Sequence, residues 1–165
     1  MPATRTAVYT GSFDPITLGH LHIIQRASPL FDDLVIGIGI NADKQSLFAP
    51  QERVELVRSV TGDLANVRVQ VFDGLAVDFV RRIGARVMVR GIRPLTDIAG
   101  EFTMMMANQQ LDPEIETVFL MAAERYSHVS SSLLKQIAAL GSDDEQLAKF
   151  VPRKIIQPLR DRMKV

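Results

Sequence analysis

Residues 6–20 read Thr-Ala-Val-Tyr-Thr-Gly-Ser-Phe-Asp-Pro-Ile-Thr-Leu-Gly-His. The first four form a short apolar, β-rich run, and the chain then breaks sharply. Gly11 lets the backbone turn close to a ligand. Asp14-Pro15 fixes a turn. Gly19-His20 then opens a helical pattern in which Leu21, Ile24 and Ala27 share one side. A strand, a turn carrying the Ser12 hydroxyl and a helix N-terminus with free N–H groups make a loop suited to an anion. Taken singly, each part is also found in a plain connecting loop with a surface histidine; here they fall together.

The same alternation continues through the chain. Strands are expected at Thr6–Tyr9, Leu34–Ile40, Val67–Phe72, Arg86–Val89 and Thr117–Met121, most of them near-continuous apolar runs, the pattern of parallel strands covered on both faces. Helical periodicity fills the gaps at Gly19–Ala27, Pro50–Val60, Leu75–Ile83, Asp97–Leu111 and Ser130–Leu140, and the tail from Asp143 reads as one or two further helices. This order predicts an α/β, Rossmann-like doubly wound fold: a five-stranded parallel sheet with helices on both faces, followed by C-terminal helices. No repeat, low-complexity stretch or linker interrupts it, so residues 1–165 are expected to form a single domain. In such sheets ligands bind beyond the carboxyl ends of the strands.

Composition narrows the function classes. Lys+Arg and Asp+Glu are 19 each, so the basic excess of a general nucleic-acid binder is missing and any anion site must be local. The absence of cysteine excludes a disulfide framework and Cys-ligated zinc. The apolar stretch near the N-terminus is too short for a signal peptide, and no window approaches a membrane span. The expectation is a cytoplasmic protein with no nucleic-acid or membrane partner.

Three further strand ends carry anion-friendly groups. Asn41-Ala42-Asp43-Lys44 follows the second strand, where a flexible ammonium could neutralise a phosphate or merely serve solubility. Arg90-Gly91-Ile92-Arg93 follows the fourth; two arginines around a glycine can present planar forks to phosphate oxygens, although a solvated cationic loop would look the same. Glu124 to Ser132 follows the fifth, and Ser130, Ser131 and Ser132 offer N-caps, hydroxyls and exposed N–H groups at a helix start. The three histidines make no metal-ligand set by spacing, His22 is read as structural, and Met104–Met106 are read as core or subunit-interface packing.

Gly11-Ser12-Phe13-Asp14 through Gly19-His20 resembles the first signature of the nucleotidylyltransferase superfamily, G-[ST]-F-D-x-x-[HT]-x-G-H. The Thr17-x-Gly19-His20 form is similar to bacterial phosphopantetheine adenylyltransferases, and Val129–Ser132 resembles the second signature, [IV]-S-[ST]-[ST]. The resemblance covers nearly the whole chain. It implies adenylyl transfer from ATP to 4′-phosphopantetheine, giving dephospho-CoA and pyrophosphate, with Mg²⁺, feedback by CoA and a homohexamer. His20 and Lys44 would be catalytic, and Ser12, Lys44, Ala76 and Arg90 would bind the acceptor. Ser12, Phe13, His20, Gly91, Ile92, Arg93, Glu101 and Tyr126 to Ser132 (Ser127, His128, Val129, Ser130 and Ser131 between) would bind ATP. Three positions depart from the family pattern: Gly100 and His128 replace aromatics, and Ala76 replaces a larger apolar residue. Other members of the superfamily, acting on nicotinate or nicotinamide mononucleotide or on glycerol 3-phosphate, share the first motif, and a non-catalytic nucleotide- or CoA-binding module could share the fold. Thr17, Lys44, the arginine pair and the length weigh against the former, and intact His20 and Lys44 against the latter.

Overall fold

A computed structural model describes residues 4–41, 45–93 and 97–163. Five strands, β1 (Thr6–Gly11), β2 (Asp33–Gly39), β3 (Val67–Phe72), β4 (Val87–Ile92) and β5 (Glu116–Met121), form one parallel sheet in the order β3-β2-β1-β4-β5. Among the described residues seven helices accompany them: α1 (Leu18–Ala27), α2 (Pro50–Thr61), α3 (Ala76–Ile83), α4 (Ile98–Leu111), α5 (Ser131–Ala139), α6 (Asp144–Leu147) and α7 (Arg153–Met163). Short 3₁₀ turns lie at Ser28–Leu30 and Glu124–Tyr126. Among the described residues no helix is long and apolar enough to cross a membrane.

Strand alternation divides the core into two layers. Ala7 and Tyr9 of β1 and Leu34, Ile36 and Ile38 of β2 pack with Ile23, Ile24 and Ala27 of α1, Val54 and Val57 of α2, and residues of α5, α6 and α7. Val8 and Val35 point the other way, onto Val77, Phe79 and Val80 of α3. Both faces are therefore covered, which is why β1 and β2 read as unbroken apolar runs. Gly37 is required by this packing, because a Cβ there would stand 2.6 Å from the Phe79 ring.

The strand order reverses between β1 and β4, which pair directly through Ala7–Val87, Val8–Met88 and Tyr9–Val89. That switch point opens the crevice beyond the carboxyl ends of the two strands. One sequence expectation is corrected here, and one is narrowed. β4 does not end at Val89: pairing with β5 through Arg90–Phe119, Gly91–Leu120 and Ile92–Met121 keeps Arg90, Gly91 and Ile92 extended, within the strand. Of the two readings given to Met104 and Met106, core packing is set aside, since both are more than half exposed, and the subunit-interface alternative is left; Asn108 is the buried residue of α4.

Candidate active site

Two crevices meet at the β1–β4 switch point. The first, about 290 Å³, is walled by β1 and its loop (Tyr9 to Ser12), by the start of α1 (Thr17, Gly19, His20), by Arg90, Gly91, Arg93, Asp97 and Glu101, and by Tyr126 and Val129 to Ser132. The second, about 350 Å³, is more apolar; Ile40, Phe72, Ala76, Met88, Met104 and Met105 contribute to it. Thr10, Gly11, Ser12, Arg90 and Glu101 belong to both, so the two spaces share a rim.

His20 occupies the third position of α1 and is fixed by a reciprocal cap. Its backbone N–H donates to Thr17 Oγ1 (3.3 Å), while the Thr17 backbone N–H donates to His20 Nδ1 (3.1 Å). Phe13, fully buried with φ at 47°, packs its ring 4.9 Å from the imidazole and edge-on to Tyr9. Burial lowers the His20 pKa to about 4, and the positive charges of Arg93 and Arg90 push the same way while Asp97 opposes them. At neutral pH the ring is uncharged. With Nδ1 accepting, its proton resides on Nε2, which has no partner among the described residues.

The two arginines are already engaged. Arg90 grips Glu101 with both ends of its fork (2.8 and 2.6 Å) and donates to the Thr10 carbonyl (2.6 Å). Arg93 grips Asp97 in the same manner (2.8 and 2.7 Å) and donates to the Val129 carbonyl (3.2 Å). Asp97 and Glu101 lie one helical turn apart at the start of α4, so a pair of bidentate contacts ties that helix to the end of β4. Gly91 sits between the arginines because α1 runs too close for a side chain: a Cβ there would be 2.9 Å from Ile23. The serine turn is equally well tied. Ser130 Oγ accepts from the Leu133 N–H (3.1 Å), and the Ser131 hydroxyl donates to the Pro15 carbonyl (2.8 Å).

The crevices thus bring together most of the residues singled out in the sequence. Ser12, His20, Arg90, Gly91, Arg93, Glu101, Tyr126 and Val129 to Ser132 line the first; Ala76 lines the second. Phe13, Ile92, Ser127 and His128 lie outside the walls. Phe13 and Ile92 are buried, the Ser127 hydroxyl bonds to the Glu124 carbonyl, and His128 rests edge-on against Phe150. Lys44 lies outside the described residues. Two participants escaped the sequence reading: Thr17 as a partner of the imidazole, and Asp97 as the clamp on Arg93. The Thr17-x-x-His20 spacing is that of a capping box with histidine at its third position, which is the signal that could have exposed the first.

A neutral histidine at a helix start, forked cations at the end of the neighbouring strand and a serine-capped helix thus face one another across the first crevice. Residues 8–137 match the family model described as cytidylyltransferase-like. In fold, the chain resembles nicotinic acid mononucleotide adenylyltransferase of Plasmodium falciparum (TM-score 0.67, 12% identity, covering 98% of this chain and 94% of that one). It is also similar in fold to a bifunctional NMN adenylyltransferase/ADP ribose pyrophosphatase of Francisella tularensis (TM-score 0.71, 17% identity, 96% of this chain and 50% of that one). Sequence likeness is far closer to two phosphopantetheine adenylyltransferases. That of Rhodopirellula baltica is 76% identical over 95% of this chain and 88% of its own, and that of Clostridium botulinum strain Alaska E43 is 47% identical over 98% and 99%. The chain belongs to the phosphopantetheine adenylyltransferase family.

Proposed function

We propose that the protein transfers the adenylyl group of ATP to 4′-phosphopantetheine, releasing pyrophosphate and dephospho-CoA. The observation that carries the reading is the shared rim: a nucleotide in the polar first crevice and an acceptor arm in the apolar second one would bring their phosphates together at Thr10–Ser12 and Arg90. An acceptor phosphate oxygen, already anionic near neutral pH, attacks the α-phosphorus of ATP in line, and the P–O bond to pyrophosphate breaks. No enzyme nucleophile is needed, so catalysis rests on alignment and on stabilising charge at phosphorus.

His20 Nε2–H donates to the α-phosphate as charge redistributes. Being neutral, the ring acts as a preorganised hydrogen-bond donor rather than as a cation or a base. Ser12 and Arg90 hold the acceptor phosphate; Arg93, Gly91 and the serine turn hold the nucleotide, with N–H groups of the α5 start turned to anionic oxygens. Lys44, by family resemblance, bridges the acceptor and α-phosphates. Mg²⁺ would neutralise the nucleotide through phosphate oxygens and water, because Asp97 and Glu101, the carboxylates on the first crevice, are engaged by Arg93 and Arg90.

A cytoplasmic homohexamer with CoA as feedback ligand completes the reading. Ile98, Phe102, Met104, Met106 and Leu111 of α4 and Met121 of β5 are exposed apolar side chains that neighbouring copies would cover. CoA carries the same arm as the acceptor and would compete for the second crevice.

The test is a panel of acceptors with ATP and Mg²⁺, read by pyrophosphate release and product mass. Dephospho-CoA should form from 4′-phosphopantetheine, while nicotinate mononucleotide with ATP and glycerol 3-phosphate with CTP should give no product. Turnover of either of those in preference to 4′-phosphopantetheine would overturn the assignment, and ATP binding without turnover of any acceptor would favour a non-catalytic module.

A further inference from the structure

Beneath the rim lies a charged side chain that the mechanism above does not use. Arg53, in the first turns of α2, is 2% exposed. Its Nη1 donates to the Ser12 carbonyl (2.8 Å) and to the Gly39 carbonyl (3.2 Å). Its buried Nε has no hydrogen-bond partner, and the Asp14 carboxylate acts on it only through space, without a direct ion pair among the described residues. A buried guanidinium held by two carbonyls through Nη1, with its buried Nε–H unpaired, is a costly way to stabilise a fold; an apolar side chain of similar shape would do as well or better. What it holds is more telling. Ser12 is the first residue beyond β1, and Gly39 is the last of β2. These are the points where two adjacent parallel strands release their chains into the rim.

We propose that Arg53 is a positioning residue for adenylyl transfer: by drawing the Ser12 and Gly39 carbonyls inward onto one guanidinium, it fixes the two strand exits that shape the acceptor side of the site. The inference rests on the function proposed above. With its carbonyl drawn down, the Ser12 peptide is held at the rim common to both crevices, whereas Gly39, Ile40 and Asn41 border only the second. The same two loops are fastened from the other direction by Asp14, whose carboxylate accepts the backbone N–H groups of Leu47 and Phe48 (2.8 Å each) and pairs with Lys135 (3.3 Å). Asp14 holds the far end of the loop between β2 and α2; Arg53 holds its near end. Loosening Arg53 should therefore be felt first by the acceptor, which depends on both exits, and less by ATP, which shares only Ser12.

The experiment is steady-state kinetics of the full chain with ATP and 4′-phosphopantetheine, together with thermal melts, for the wild type, Arg53→Met and Arg53→Lys. Arg53→Met should raise the acceptor KM by about fivefold or more and lower kcat, while the ATP KM stays within about twofold, since misplacing a positioning group loses rate and affinity together. Arg53→Lys keeps a cation able to reach one carbonyl and should fall between the two. Should Arg53→Met not accumulate folded, Arg53→Lys carries the test in the same direction at smaller amplitude. A folded Arg53→Met, or failing that a folded Arg53→Lys, with wild-type constants overturns the assignment. So does a loss of activity that merely tracks the melted fraction with both KM values unchanged. A wild type that does not turn over this pair overturns the functional reading, and this one with it; an active wild type with unaffected variants overturns only the role of Arg53.

Discussion

The backbone N–H of Thr17 donates to Nδ1 of His20 at 3.1 Å, and that single contact decides which imidazole nitrogen is left to donate into the crevice. In a neutral ring one nitrogen donates and the other accepts. Since Nδ1 is occupied as acceptor, Nε2 is the donor. A helix cap, normally a stabilising device, here also sets a tautomer.

His20→Ala should lower kcat by about 10²–10³, the usual loss of one preorganised donor, while the dissociation constant for ATP changes little, because Arg93 and the serine turn remain. Thr17→Val tests the cap separately. The backbone N–H to Nδ1 survives, the hydroxyl does not, and the loss should appear as about 1 kcal/mol of stability with a smaller fall in kcat. Single-turnover rates beside calorimetric ATP titrations distinguish the two; wild-type turnover in His20→Ala would end its catalytic role.

The depressed His20 pKa has a consequence for stability. The unfolded chain's histidine titrates near 6.5 and the folded one near 4, so between those values the unfolded state binds more protons. Stability is therefore fully present above pH 6.5 and is lost as pH falls toward 4, by an amount on the order of 2–3 kcal/mol. NMR titration of the unliganded protein should show the His20 ring unchanged from pH 8 to 5.5. Urea denaturation should show a decline below pH 6.5 that is smaller in His20→Asn. A ring that titrates near 6.5 would contradict the neutral-donor reading.

Glu101 holds both ends of the Arg90 fork, and both side chains are largely buried. Glu101→Ala leaves Arg90 with the Thr10 carbonyl and hydroxyl as its partners. Stability should fall by about 1–3 kcal/mol, the cost of an uncompensated buried group. The acceptor KM should rise because the guanidinium is no longer aimed. Arg90→Lys should fail similarly, since an ammonium cannot reproduce the fork. Denaturant midpoints and acceptor titrations check both.

Much of the architecture was legible because its signals are local. The unbroken apolar runs of β1 and β2 announced a sheet covered on both faces, and the Ser130–Ser132 turn announced the start of α5. What was hidden depends on pairing between distant segments. β4 extends through Arg90, Gly91 and Ile92 only because β5 lies alongside, which no local propensity of an Arg-Gly-Ile-Arg stretch encodes. Arg53 resembles any arginine on an amphipathic helix until Ser12 and Gly39 are placed above it. Met104 and Met106 could be read as core or as subunit-interface packing, and only the docking of α4 against β4, with Asn108 turned to Met88 and these two methionines outward, decides against core. The arginines were recognised as anion-seeking, but their engagement by Asp97 and Glu101 required the helix to be docked.

Gly100 offers a test that separates stability from binding. It lies in the first turn of α4 between Asp97 and Glu101, its backbone lies outside the left-handed region, and a Cβ there would meet nothing within 4 Å among the described residues. Glycine in a helix costs up to about 1 kcal/mol relative to alanine. Gly100→Ala should therefore stabilise the protein by roughly 0.5–1 kcal/mol, raising the melting temperature by about 1–4 °C for a chain of this size. If the space above Gly100 is simply solvent, the ATP KM will be unchanged in the same variant. If the KM rises while the melting temperature also rises, the nucleotide uses that space, and the glycine that weakens α4 is there to admit the base.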